Sequence, residues 1–147
     1  MKVFKKLILV YLILVFIKII ISLFVKSPLA FADSYLYMST AKSLFFDNSL
    51  FFDGVNYLLY PPLYSIFLAL TYLFSDMSLV FFTMKVLNVL LITSSLFPVY
   101  LLAKEFFDEK YAFYISIMAC LLPPFFGFSN YVLSENLFFP LILFPVK

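Results

Sequence analysis

The chain has 147 residues, 65% hydrophobic and 12% charged, with a formal net charge of +2 and a mean hydropathy of +1.10. Such proportions fall outside the globular range and mark an integral membrane chain, and a charge so small and dispersed argues against a nucleic-acid partner. Histidine is absent, so any acid–base chemistry falls to Asp, Glu, Lys or Tyr.

The predicted fold is all-α: membrane-spanning helices, with interfacial juxtamembrane helices in the first external loop. Lys2, Lys5 and Lys6 precede an apolar run over 7–25. The run is too long for the core of a signal peptide, and no small-x-small cleavage site follows at a fitting distance. It predicts an uncleaved first span, interrupted by Lys18. A span needs about 20 apolar residues.

The external loop is expected over 26–78. After Asp33-Ser34, either of which suits a helix N-cap, Tyr37, Met38, Ala41, Leu44 and Phe45 recur at helical spacing. Ser39, Thr40, Lys42 and Ser43 fall largely on the opposite side, which predicts an amphipathic helix lying in the membrane surface. Asp47-Asn48-Ser49 ends it, and Asp53-Gly54 marks a turn.

Tyr60-Pro61-Pro62 opens the next apolar segment. The first proline pushes Tyr60 towards an extended backbone, and the second suits a first helical position. The segment is only about 13 residues long, so it lies on or dips into the membrane rather than crossing it. A second span follows over 79–103, interrupted by Lys85, Asn88 and Thr93-Ser94-Ser95. A third, over 111–127, is kinked or ended by Pro123-Pro124. A truncated one occupies 137–147.

Lysine placement sets the expected orientation. Lys2, Lys5 and Lys6 lie before the first span, and Lys104 and Lys110 lie between the second and third, so both places are cytoplasmic by the positive-inside rule. Two crossings then separate them. The loop carrying Asp33 and the turn carrying Glu135 both emerge outside, in a chain placed in the cell membrane with its N-terminus in the cytoplasm.

Several residues invite more than one reading. Asp33 suits a helix cap, and Glu135 suits the first turn of the last helix, where the dipole favours a negative charge. Either carboxylate is also costly near a bilayer unless it works or is paired. Lys85 meets a partner or snorkels to headgroups. Tyr35, Tyr37, Tyr60 and Tyr64 either anchor at the interface or line a sugar or lipid groove. Cys120, the one cysteine, reads as a small buried hydrophobe.

Taken in order, Asp33-Ser34-x-x-Tyr37, Tyr60-Pro61-Pro62-Leu63-Tyr64, Lys85-x-Leu87-Asn88, Val99 to Lys104, Asp108 to Ala112, Pro123 and Ser134-Glu135-Asn136-Leu137 resemble the N-terminal part of the GT-C superfamily of membrane glycosyltransferases. The branch holding protein O-mannosyltransferases and the lipid A aminoarabinose transferase is the most similar. The resemblance implies transfer of a sugar from a polyprenyl-phosphate carrier to an acceptor outside the cytoplasm. It makes Asp33 and Glu135 the catalytic pair, as base or as ligands of a divalent cation, Mg2+ or Mn2+ suiting oxygen donors. It places Lys85 at the carrier phosphate and makes Tyr37 and Tyr60 substrate-binding.

Ser34 stands where many relatives carry a second acid. The expected chain is an incomplete module, needing helices from a longer chain or a second chain and transferring little sugar alone. The competing expectations are a non-enzymatic multi-pass membrane protein, a gene remnant, and a transporter fragment. For the last of these, Thr93-Ser94-Ser95 is the only polar mid-span cluster.

Overall fold

The computed structural model describes residues 2–25, 32–49, 51–52, 55–56 and 61–144. Regular structure among them is helical apart from one short β pair. Helix α1, Lys2–Phe24, has 23 residues, rich in Leu, Ile, Val and Phe, with no Gly or Pro to break it. At this length it reaches about 35 Å, enough for a hydrocarbon core of about 30 Å. Leu9, Leu12, Ile13, Phe16 and Leu23 remain exposed along it. An apolar surface of that extent suits lipid rather than water.

Helix α2, Ala32–Asp47, places Asp33 in its first turn, where the helix dipole favours a carboxylate. It ends as expected: Asn48 takes a left-handed φ of 49°, as asparagine does more readily than most residues at helix C-termini, and the Ser49 N–H bonds back to the Ser43 carbonyl at 3.4 Å. The faces of α2 differ from the expected amphipathic division. Ser34, Ser39, Thr40 and Ser43 are buried beside Tyr37 and Ala41, whereas Tyr35 and Phe46 are exposed. Small hydroxyl residues let a neighbouring backbone approach closely, and the Ser65 hydroxyl of the next helix reaches the Tyr37 carbonyl at 3.3 Å.

Strands β1, Phe51–Phe52, and β2, Val55–Asn56, pair antiparallel with Phe51 opposite Asn56. The expected Asp53-Gly54 turn lies outside the described residues. Helix α3, Pro62–Ala69, starts with Pro62 as its first residue, as the proline pair predicts, and continues as a four-residue 3-10 turn, Leu70–Leu73. Together they fall well short of the length a bilayer requires.

Helices α4, Met77–Thr93, and α5, Leu96–Lys104, form a second apolar rod of 28 residues. Asp76 caps it, accepting the Ser78 N–H at 2.8 Å. The rod tightens at Ser94 and Ser95 for a local reason. Pro98 has no N–H to give the Ser94 carbonyl, so Phe97 takes that carbonyl at 3.1 Å, one residue early, and Val99 resumes the α pattern on Ser95 at 3.0 Å.

Helix α6, Glu109–Leu121, and helix α7, Pro123–Gly127, with its 3-10 extension Phe128–Asn130, are bent by 61°. Leu122, preceding a proline, is held at φ −59° and ψ 144°, outside the helical region. The third expected span is therefore a broken pair. Among the described residues two helices are long and apolar enough to cross a membrane, or three if this pair counts as one. Helix α8, Glu135–Ile142, contains Pro140.

The rods run antiparallel. Near the end of α1, the Ser22 and Val25 carbonyls meet Lys85 of α4; near its start, the Phe4 ring packs at a tilt against Phe97 of α5. Helix α6 returns parallel to α1, with Glu109 and Lys110 beside Val3 and Lys6 and Phe125 beside Lys18. One core at the far end of α1 gathers Tyr37, Ala41, Tyr64, Leu68, Met84, Val132 and Leu137. A second, towards its start, gathers Leu7, Leu14, Leu96, Tyr100, Ala112 and Cys120.

Candidate functional site

The first core carries the polar cluster. Asp33 and Tyr37 stand four residues apart on α2, hence on one face of the helix. Ser134 and Glu135 open α8. The Tyr37 hydroxyl is hydrogen-bonded with the Ser134 side chain and lies in the electrostatic reach of both Glu135 and Asp33. Two carboxylates 102 positions apart in sequence thus act electrostatically on a single buried tyrosine. Burial raises the Tyr37 pKa above its ordinary 10.0; the Ser134 bond opposes this, and the two carboxylates add to it. The phenol therefore stays protonated at neutral pH. Ser134 also approaches Glu135 Oε2 at 3.5 Å.

Beneath Tyr37 lies Tyr64, edge-to-face at 5.1 Å and 85°. Its hydroxyl donates to Asn88 Oδ1 at 2.8 Å, and Asn88 Nδ2 donates to the Tyr131 carbonyl at 2.9 Å. Asn136 Nδ2 donates to the same carbonyl and to that of Leu133, both at 3.0 Å. Tyr64, Asn88 and Asn136 are all but inaccessible. Burial, reinforced by the negative charge of Glu135, raises the Tyr64 pKa well above that of a free phenol. The two asparagines join α3, α4 and the entry to α8 into one unit and so fix where Glu135 stands.

A groove of about 310 Å³ opens from this cluster. Pro61, Leu63 and Tyr64 form one wall, and Leu137, Phe138 and Leu141 of α8 form the other, with Ser134 and Glu135 between them. It is apolar along its length and carries one carboxylate. Among the described residues no three His, Cys, Asp or Glu side chains gather as a metal site.

The other predicted site residues are placed differently. Lys85 is buried, and its ammonium donates to the Ser22 carbonyl at 2.7 Å and the Val25 carbonyl at 2.5 Å while lying 5.9 Å from the Phe82 ring centroid. It caps the C-terminus of α1 and does not line the groove. Tyr60 lies outside the described residues, next to groove-lining Pro61. Tyr35 is exposed, in a separate hollow with Lys42 and Tyr72.

Asn88, Ser134 and Asn136 stand in the sequence motifs without a role of their own, although an asparagine inside an apolar helix is itself a signal of a polar partner. Lys18, 2% exposed, donates to the Phe125 carbonyl at 2.8 Å under the Phe126 ring. It serves the break between α6 and α7.

The class defined by these features is a mainly helical chain with, among the described residues, two or three helices of membrane-spanning length and a polar cluster at one end of the bundle. Comparison with family models, with curated proteins and with solved structures finds no match for the chain.

Proposed function

We propose that the chain is the N-terminal part of a GT-C-type membrane glycosyltransferase, transferring a sugar from a polyprenyl-phosphate carrier to an acceptor outside the cytoplasm. The observation that carries this reading is the convergence of Asp33 and Glu135 on Tyr37 at the polar end of an apolar groove. An amphiphilic donor needs that combination: an apolar channel for its isoprenoid and a polar station for its head.

In this reading Asp33 takes the proton from the acceptor hydroxyl as that oxygen attacks the anomeric carbon. The bond from that carbon to the phosphate oxygen breaks, and the carrier phosphate leaves. Glu135 orients the acceptor or, with Asp33, holds Mg2+ or Mn2+, which would neutralise charge on the carrier phosphate. Tyr37 and Ser134 keep the carboxylates apart and oriented, and Tyr60 contributes to the groove mouth.

The site faces outward from the cell membrane, the N-terminus is cytoplasmic, and α2 and α3 lie along the interface. Among the described residues the groove is walled by Pro61 with α3 and by Ser134 with α8, and further helices from a longer chain or a second chain complete it. The test is transfer of labelled sugar from a polyprenyl phosphate in membranes containing the full-length protein. Asp33→Asn should abolish transfer, and persistence removes the base assignment.

A second reading is a non-enzymatic membrane protein whose polar cluster only fastens helices. The commitment of Lys85 to α1 carbonyls favours it, because the cation expected at the carrier phosphate already serves the fold. Wild-type transfer at background level, with the protein folded, would establish this reading.

A further inference from the structure

The opposite end of the bundle holds a second arrangement that the transferase reading does not use. Between the start of α1 and the start of α6 lies a cavity of about 330 Å³, lined by Val3, Lys6, Glu109, Lys110, Phe113 and Tyr114. Lys6 and Lys110, exposed at its rim, have no ion pair among the described residues. Glu109 is engaged by the Tyr100 hydroxyl at 3.3 Å. Lys5 and Lys104 are exposed as well, as are Glu105 and Asp108 of the same turn, and the cavity lining itself holds two lysines against the one carboxylate of Glu109.

An apolar groove of about 450 Å³ adjoins this cavity and shares Tyr114 with it. Tyr111, Ile115, Met118 and Leu122 carry it along α6 with no charged group in its lining. A cationic pocket at the end of a membrane-length rod, continued by an uncharged channel along the same helix, has the shape and charge order of a phospholipid.

We infer that this face binds an anionic phospholipid, its phosphate between Lys6 and Lys110 and one acyl chain along α6. The charge favours an anionic over a zwitterionic headgroup, since each lysine near a membrane surface attracts negative lipid. The groove favours a lipid over a free phosphate, because inorganic phosphate gains nothing from Met118 or Leu122. The inference is independent of the transferase reading, since Asp33 and Glu135 belong to the other core.

The test uses the full chain in nanodiscs of phosphatidylcholine containing a minor fraction of phosphatidylglycerol, with bound lipid counted by native mass spectrometry after gentle extraction. Wild type should retain phosphatidylglycerol in excess of its share. The Lys6→Gln, Lys110→Gln double variant, changed only at exposed positions, should lose that preference by about thirtyfold. Met118→Trp, which fills the groove, should reduce retention of lipid with either headgroup while leaving the helical circular dichroism intact. Equal retention of phosphatidylglycerol by the double variant overturns the site, as does displacement of bound lipid by millimolar inorganic phosphate. Lys5→Gln, outside the cavity, should keep the preference, and its loss there would reduce the effect to general surface charge.

Discussion

The hydroxyl of Tyr64 donates a 2.8 Å hydrogen bond to Oδ1 of Asn88, with both side chains almost fully enclosed. Asn88 also donates to the Tyr131 carbonyl, so one amide in α4 holds α3 on one side and the approach to α8 on the other. Replacing it with Leu keeps the branched shape, orphans the Tyr64 hydroxyl and leaves the Tyr131 carbonyl with the Asn136 donor. The expected loss is about 2 kcal/mol, from about 1–3 kcal/mol for a buried group left unpaired. Tyr64→Phe should cost less, because it orphans one acceptor. A double-mutant cycle read by thermal unfolding in detergent should give a coupling of about 1 kcal/mol; additive losses would show that the bond does not join the helices.

The alkaline limb of stability follows from the two buried phenols. Tyr37 and Tyr64 both have pKa values raised from 10.0, burial being the main cause. A raised folded value means that the folded chain holds these protons more tightly than the unfolded chain. Their contribution is complete below pH 10 and is lost as pH rises through the folded values. Melting temperature should therefore fall above pH 10, and the Tyr37→Phe, Tyr64→Phe double variant should fall less steeply. An unchanged slope would mean that neither phenol is held neutral by its surroundings.

Asp33 and Glu135 act on the same tyrosine, so they share one end of the bundle and should share one side of the membrane. Cysteine introduced singly at each position should react with an impermeant maleimide from the same side of sealed, oriented vesicles. Cys120, 1% exposed, should give no background. Reaction from opposite sides would be incompatible with a shared site.

What the sequence makes legible here is mostly local. Pro62 at a helix start and Leu122 forced out of the helical region before Pro123 follow from proline chemistry within a few residues, and α1 follows from a long apolar run that only Lys18 interrupts. Lysine placement and the short 62–74 segment also suggest that Asp33 and Glu135 face the same way, but not that both act on Tyr37, because that depends on how α2, α3 and α8 pack. Polarity misleads on α2, where buried serines and Thr40 serve close helix packing rather than a solvated face. The tightening at Ser94 depends on what Pro98 withholds from a carbonyl four residues earlier. The partners of Lys18 and Lys85 are backbone carbonyls, which leave no residue signature to search for.

Lys18 offers the sharpest separation of charge from packing. Its stem is enclosed and its ammonium serves the Phe125 carbonyl, so the gain from that bond is set against desolvation of a charge in the apolar interior. Replacing a buried charge with an apolar side chain of similar volume is often neutral or stabilising. Lys18→Met should accordingly change stability by less than about 1 kcal/mol, the Phe125 carbonyl losing one donor while the desolvation penalty disappears. Lys18→Ala removes the stem too and should cost about 2–4 kcal/mol, in the range of large-to-small core substitutions. Lys18→Glu sets a carboxylate against a carbonyl oxygen and should prevent stable packing of α7 on α1. Thermal unfolding of the three variants decides the matter: a Met variant as damaged as the Ala variant would mean that the charge itself, through the Phe125 carbonyl, holds the broken third rod in place.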